Sequence, residues 1–191
     1  YGASKLASDK IFVAANSLSG RDGARFSVVR YGNVVGSRGS VVPMFRRLIR
    51  EGATRLPVTD RRMTRFLITL EQGVSFVLSS LAGMAGGEIF VPKIPSVRMM
   101  DVAQALLPES DPEIVGIRPG EKIHEVLITE DDARTSFDLG DRYVILPAFG
   151  QIEREDVGGK SLADGFVYSS RTNDEWLDNA GILALLKAIG E

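Results

Sequence analysis

Cysteine is absent from this chain of 191 residues, and there is one histidine, His124. Disulfide scaffolds, iron–sulfur clusters and thiolate zinc sites are thereby excluded, and a histidine-rich metal site with them. No apolar run approaches the roughly 18–20 residues of a membrane span, and no signal-peptide pattern opens the sequence. Charge of one sign is not in excess either. Lys and Arg number 23 against 25 Asp and Glu, a formal net charge of -2, so no global pull toward nucleic acid or an anionic membrane is expected and any anion site must be local. What is present is an ordinary globular composition, 44% apolar and 25% charged, which rules out wholesale disorder and a coiled coil. The length suits one full domain or a domain plus part of another. A cytoplasmic protein without metal, membrane or nucleic-acid partner is the expectation.

Tyr1 already lies inside a helical pattern, so the chain is expected to be the C-terminal piece of something longer. Ala3, Leu6, Ala7, Ile11, Ala14 and Leu18 fall at spacings of three and four, the period of an amphipathic helix, which Gly20 closes. Phe26 to Tyr31 is β-branched and aromatic and reads as a buried strand. A glycine-rich loop from Gly32 to Gly39 leads into a helix over Val41 to Glu51, with Pro43 in its first turn and Gly52 after its last. Thr69 and Gln72 have capping-box spacing ahead of a helix to about Met84, stopped by Gly86 and Gly87, and a strand follows over Glu88 to Val91. Beyond Pro92 the pattern predicts a helix over Asp101 to Leu107, a strand over Ile114 to Ile117 and a short helix from Glu121 to about Leu127. Strands over Arg134 to Asp138 and Tyr143 to Leu146, a mobile loop over Gln151 to Gly165 and a helix over Leu177 to Ile189 complete it. Alternating strands and helices argue α/β with parallel pairing, in a sheet that lacks its other half.

Several constellations can carry chemistry. Tyr1 and Lys5 are four apart on a helix, hence on one face. A phenol is a poor base at neutral pH, but an adjacent cation favours the tyrosinate, and such a pair can exchange a proton with a sugar hydroxyl. Gly32, Gly36 and Gly39 lack the G-x-G-x-x-G spacing of a dinucleotide fingerprint; they suit close passage of backbone at a strand end, with Asn33 pointing into the crevice there. Of the arginines between Arg46 and Arg65, those at 46, 47 and 50 read as a solvated helix face, and the stretch lacks the interleaved aromatics of a single-strand binder. Arg118-Pro119-Gly120-Glu121 is either a well-capped turn or an anion site in which Arg118 projects ahead of a helix N-terminus. His124 reads as helix packing.

Tyr1 to Lys5, with small residues between its two functional ones and a buried strand some twenty residues on, resembles the active-site helix of the short-chain dehydrogenase/reductase superfamily. YGASKLASDK (from Tyr1), FSVVRYGNVVGSRGSVV (from Phe26), MTRFLITL (from Met63), GGEIFVPKI (from Gly86), IRPGEKIHE (from Ile117) and YSSRTND (from Tyr168) together resemble blocks of the inverting UDP-N-acetylglucosamine 4,6-dehydratase family, the first enzyme of pseudaminic acid synthesis. The blocks stand in the family's order and span nearly the whole chain.

The resemblance implies an NADP-dependent, extended-type fold. This chain would be the C-terminal part of a doubly wound, Rossmann-like α/β domain with a small substrate-binding domain, its dinucleotide-binding strands lying upstream. Residues 1–95 would hold the rest of the Rossmann-like domain interleaved with substrate-domain segments, and 96–191 mainly the nucleotide-sugar-binding domain. It further implies Tyr1 and Lys5 as catalytic residues that also bind cofactor, with Tyr31 and Asn33 as further cofactor contacts. Asn33, Arg65, Arg118 and Glu121 would bind substrate, the two arginines at the diphosphate and the glutamate at ribose hydroxyls. An Asp-Lys pair for the elimination would lie upstream. UDP-N-acetylglucosamine is the implied partner and a homo-oligomer the implied assembly; this piece alone is expected to be inactive. A retaining dehydratase or a UDP-sugar epimerase of the same superfamily would share Tyr1, Lys5 and Arg118, and a non-catalytic nucleotide-sugar-binding module is the alternative from another class.

Overall fold

In chain order the elements of the computed structural model begin with α1 (Gly2–Ser19), β1 (Val28–Val29), β2 (Asn33–Val34), α2 (Val41–Arg50), β3 (Pro57–Val58) and β4 (Thr64–Ile68). There follow α3 (Leu70–Gly83), β5 (Ile89–Pro92), β6 (Ser96–Arg98), α4 (Met99–Leu106), β7 (Glu113–Ile114) and β8 (Val126–Ile128). The last six are α5 (Glu130–Ala133), β9 (Ser136–Asp138), β10 (Arg142–Ile145), β11 (Lys160–Ser161), β12 (Tyr168–Ser169) and α6 (Asn179–Ala188). Residues 2–20, 22–147 and 157–189 are described; Tyr1 and the first part of the expected mobile loop, 151–156, lie outside them. The architecture is mixed α/β. Two compact units divide it, the first drawn from Tyr1–Tyr31, Val74–Lys93 and Leu127–Val167, the second from Gly32–Gly73, Ile94–Val126 and Tyr168–Glu191.

The first unit holds a five-stranded sheet in the order β1-β5-β10-β9-β11. Parallel pairing, expected throughout, is confined in this sheet to β1 with β5, where Val28 faces Ile89 and Val29 faces Phe90. The others are antiparallel, because β9 and β10 are joined by a tight turn at Gly140 (φ +95°) and a short hairpin can link only antiparallel strands. Strand β1 is half-buried rather than buried. Phe76 of α3 packs with Phe90, Phe137, Val144 and Leu146 to form this unit's core. The capping box of α3 is present as read: the Thr69 N–H donates to Gln72 Oε1 (2.9 Å) and the Gln72 N–H to Thr69 Oγ1 (3.1 Å). Within the stretch expected to be a mobile loop, β11 pairs with β9, Lys160 facing Asp138.

Arg30, just after β1, is the polar hub of this unit. Its Nε donates to Asp9 on α1 (2.7 Å), and its Nη1 to the Leu127 carbonyl (3.1 Å) and to Asp132 Oδ2 (2.9 Å). The three side chains are each less than one-fifth exposed. Asp132 also belongs to a capping box with Thr129 at the start of α5, an element absent from the sequence reading.

The second unit carries a three-stranded sheet, β2-β4-β6, and a parallel pair of β3 with β7. Strand β2 runs parallel to β4 and β6 antiparallel to it. Helices α2, α4 and α6 close over these strands through Val42, Phe45, Val102, Ile182 and Leu186. Gly32 enters the unit against β4: a Cβ there would sit 2.5 Å from the Phe66 Cβ and carbonyl oxygen, so a side chain would force the backbones apart.

The helix expected over Glu121 to Leu127 does not form. Its apolar spacing is helical, but the carbonyls of Lys122 and Ile123 are taken by the Arg65 guanidinium and the Thr64 N–H, and the chain bends at Ile123 and His124 before it enters β8. The strand expected over Ile114 to Ile117 is likewise reduced to Glu113–Ile114, since Gly116 turns with φ +88°.

Burial is the largest influence on Asp132 and pushes its pKa up, yet the hydrogen bond and charge of Arg30, with Thr129, hold it below the usual carboxylate value. A depressed pKa stabilises the fold above the unfolded value of about 3.9 and ceases to do so as pH falls through the folded one. Asp132→Asn should therefore shrink the stability difference between neutral and acidic pH in urea titrations. An unchanged pH dependence in the variant would show that Arg30 does not hold the carboxylate ionised.

Candidate functional site

Helix α2 starts at Val41 without the usual side-chain cap. Ser40 has the extended backbone of an N-cap residue but makes no capping hydrogen bond, and its Oγ is buried without a partner among the described residues. The amides of the first turn of any helix have no partner within the helix. Hydroxyl and helix terminus adjoin a cavity of about 240 Å³ that lies wholly within the second unit. Val42, Phe45, Val58, Met63, Met99 and Val102 give it apolar walls, and Asn33, Ser40, Thr59, Arg65, Arg118 and Glu121 its polar groups.

Every residue expected to bind substrate is therefore at one cavity, although the chain separates Asn33 from Glu121 by most of the unit. Asn33 is exposed and opens β2, opposite Leu67 of β4. Arg118 is also exposed, and among the described residues its guanidinium enters no ion pair or hydrogen bond. Its turn closes on itself: the Glu121 N–H donates to the Arg118 carbonyl (3.0 Å), and the Arg118 N–H to Glu121 Oε2 (3.2 Å). Gly120 supplies the required φ of +79°. The other carboxylate oxygen, Oε1, accepts from the Thr59 hydroxyl (3.4 Å). A carboxylate has about four acceptor positions, so Glu121 keeps capacity for a ligand hydroxyl.

Arg65 is engaged differently. Its Nη1 donates to the carbonyls of Thr64 (2.7 Å) and Ile123 (3.0 Å), its Nη2 to that of Lys122 (2.8 Å), and its Nε lies 3.6 Å from Glu125. Of the five donors of a guanidinium, three are taken by these carbonyls. Burial pulls the Arg65 pKa down, with Glu125 and Glu121 opposing it. The open fork at this cavity is that of Arg118.

Behind the cavity wall, His124 is hydrogen bonded rather than packed in a helix. Its Nδ1 lies 2.8 Å from Thr64 Oγ1, which in turn lies 2.7 Å from Ser170 Oγ. Burial, then Arg171, Arg65 and Arg62, lower the His124 pKa, and Asp60 works against them. Asp60 itself is lowered to about 2, first by the side-chain hydrogen bonds of Arg62 and then by its backbone N–H. The remaining arginines of this stretch are tied down too: Arg46 donates to the Leu186 carbonyl of α6 (2.9 Å) and Arg55 to the Asp111 carbonyl (2.9 Å). Arg46 is thus a helix-end contact, not part of a purely solvated face.

In the first unit, Lys5 is exposed on α1 and Tyr31 is exposed at the carboxyl end of β1, the end at which α/β sheets take their ligands. Tyr1 lies outside the described residues. Ser40 and Thr59 are the functional groups that sequence reading missed. The signal for Ser40 was its place one residue before the helix, which instead suggests an ordinary cap.

Among known proteins, the chain is 50% identical over 97% of its length to a UDP-N-acetylglucosamine 4,6-dehydratase (inverting) of Campylobacter jejuni, of which it covers 58%. It is 36% identical over 75% of its length to a UDP-glucose 4-epimerase of Rickettsia canadensis, covering 43% of that protein. The X-ray structure of Pen from Bacillus thuringiensis superposes with a TM-score of 0.84 at 32% identity, over 99% of this chain and 58% of that one. The chain thus spans 58% of the Campylobacter and Bacillus proteins and 43% of the Rickettsia one. Residues 1–147 match the model of the polysaccharide biosynthesis protein family, and the chain belongs to that family, within the short-chain dehydrogenase/reductase superfamily.

Proposed function

We propose that this chain supplies the substrate cavity and the tyrosine–lysine helix of an NADP-dependent, C5-inverting UDP-N-acetylglucosamine 4,6-dehydratase. The observation that carries the reading is the cavity itself, where Asn33, Arg118 and Glu121 meet the unpartnered Ser40 hydroxyl and the N-terminus of α2. A helix N-terminus favours a phosphate both by its free amides and by its dipole. The Arg118 fork suits two oxygens of a diphosphate, Glu121 has acceptor capacity for ribose hydroxyls, and the apolar walls suit a flat base. Half-identity to the Campylobacter protein named for this reaction supports the same conclusion.

In the reaction, Tyr1 as the phenolate takes the proton of the sugar 4-hydroxyl, and Lys5, four residues further along the chain, favours the ionised phenol. Lys5 and Tyr31 would help to hold NADP, which would supply reversible hydride chemistry between carbons 4 and 6 around the loss of water. The residues present fit the cofactor: Lys5 offers an accessible ammonium and Tyr31 an accessible ring at a strand's carboxyl end. Residues 1–95 would then keep the rest of the cofactor domain, interleaved with substrate segments, and 96–191 mainly bind the nucleotide-sugar. The setting is nucleotide-sugar synthesis for pseudaminic acid in the cytoplasm. A homo-oligomer belongs to this reading, which the exposed stripe Val74, Val77, Leu78 and Leu81 on α3 supports.

The full-length protein, given UDP-N-acetylglucosamine in deuterated water, should yield a UDP-4-keto-6-deoxy sugar inverted at carbon 5. NMR of the product reads this directly, and a C4 epimer or retained configuration would replace the reading by one of its relatives. Tyr1→Phe should abolish that product while UDP binding stays close to wild type, since only the phenolic oxygen is lost.

Arg118→Ala should raise the dissociation constant for UDP by about ten- to a hundredfold, since a charge-assisted hydrogen bond contributes about 1.5–3 kcal/mol and each 1.4 kcal/mol is a decade. Uniform binding of the diphosphate places the effect in KM rather than kcat. Arg118→Lys should recover part of it. Unchanged affinity in calorimetry would move the diphosphate site elsewhere.

A further inference from the structure

The turn that carries Arg118 and Glu121 has little hold of its own. Residues 113–120 are exposed; before the turn the Glu113 and Val115 N–H groups donate to the Leu56 and Val58 carbonyls where β7 pairs with β3, and the turn itself bonds internally and, through Glu121, to Thr59. A second set of bonds fixes the chain to the unit after the turn. The Thr64 N–H donates to the Ile123 carbonyl (3.0 Å), the Ser170 N–H to the Glu125 carbonyl (2.9 Å), and the Glu125 N–H to Ser170 Oγ (2.9 Å). His124, between them, reaches Thr64 Oγ1, and Thr64 reaches Ser170.

Proton accounting shows that this relay closes on itself. Each hydroxyl has one proton to give. If Ser170 gives its proton to Thr64 Oγ1 (2.7 Å), Thr64 gives its own to His124 Nδ1. If His124 Nδ1 is the donor, Thr64 passes on to Ser170, which gives to the Thr64 carbonyl (3.3 Å). Either way no hydroxyl proton is left over. Thr64 is 4% exposed and Ser170 0%, so a broken link leaves a buried polar group unpaired rather than rehydrated. None of Thr64, His124 and Ser170 borders the cavity.

We propose that His124 is a positioning residue for nucleotide-diphosphate binding: through Thr64 and Ser170 it holds the segment after the Arg118 turn against β4 and so sets where the Arg118 fork stands. The inference rests on the proposed function of the cavity. Arg65 grips the same segment by its carbonyls, but it borders the cavity, so its substitution would mix direct and indirect effects. Neither His124 nor Thr64 borders the cavity, so their influence on affinity is indirect, through the segment that they hold together with Arg65.

The test is calorimetric titration of UDP into the full-length protein and four variants: His124→Ala, His124→Asn, Thr64→Val and the double variant His124→Ala/Thr64→Val. His124→Ala and Thr64→Val should each raise the dissociation constant by about three- to tenfold, the range set by one lost buried hydrogen bond. The double variant should be no worse than the weaker-binding single, because both break one relay. Asn carries Oδ1 and Nδ2 at the same bond distance from Cα as the histidine Nδ1, so His124→Asn should return affinity to within about twofold of wild type. In turnover, the KM for the nucleotide-sugar should rise by the same factor in His124→Ala with kcat unchanged. Wild-type affinity in His124→Ala, multiplication of the two single effects, or no rescue by asparagine would each overturn the inference while wild-type binding upholds the cavity. Failure of the wild type to bind UDP would overturn the reading of the cavity and this inference with it. If Thr64→Val does not fold, the alanine and asparagine variants decide.

Discussion

Backbone carbonyls that leave regular structure must still find donors when they are buried, and in the second unit that demand falls on one arginine. Arg65 stands on the central strand β4 and reaches across to the carbonyls of Lys122 and Ile123, the second of which also accepts the Thr64 N–H. The segment is thereby kept out of a helix, and β8 can begin at Val126. Gly32 serves the same strand from the other direction: the lack of a Cβ lets the incoming chain run against Phe66 and places Asn33 beside β4.

The first unit answers a similar demand with Arg30, which meets the Leu127 carbonyl and two carboxylates. Two anions about one cation leave the cluster with excess negative charge, which is tolerable because Asp132 also accepts the Thr129 N–H in its capping box. Glu88 does comparable work for the turn before β5. Its buried carboxylate accepts from Ser27 Oγ (2.6 Å) and from the amides of Ala85 (2.6 Å) and Gly86 (2.7 Å). In both units, polar side chains rather than long ladders finish the short strands.

Signals confined to a few neighbouring residues were legible in the sequence. Helical spacing located α1, α2, α3, α4 and α6 to within a few residues, and Thr69 with Gln72 marked the start of α3. Thr129 and Asp132 carried the same kind of signal for α5, but an element of one turn leaves no periodicity to support it. What failed depended on distant partners. Glu121 to Leu127 has apolar residues at helical spacing, and partners more than fifty residues earlier, Thr64 and Arg65, decide that it forms no helix. The site divides in the same way. Asn33, Arg65, Arg118 and Glu121 were visible through motif resemblance and do line one cavity, whereas Ser40 and Thr59 acquire a role only from burial and proximity that no local pattern encodes.

The order in which the chain visits its two units affects how they form. Neither is continuous: the chain leaves the first at Tyr31, returns at Val74, and exchanges again around Lys93, Val126 and Val167. The second unit's core joins Val35 and Val42 to Ile182 and Leu186, so its hydrophobic contacts span nearly the whole length of the chain. Loop closure over such distances must precede the contacts that reward it, and chains dominated by non-local pairing fold slowly. Synthesis that stops before α6 leaves the apolar faces of α2 and α4 without their cover. The cavity of the second unit rests on that same core, and so it comes into being among the last features of the fold.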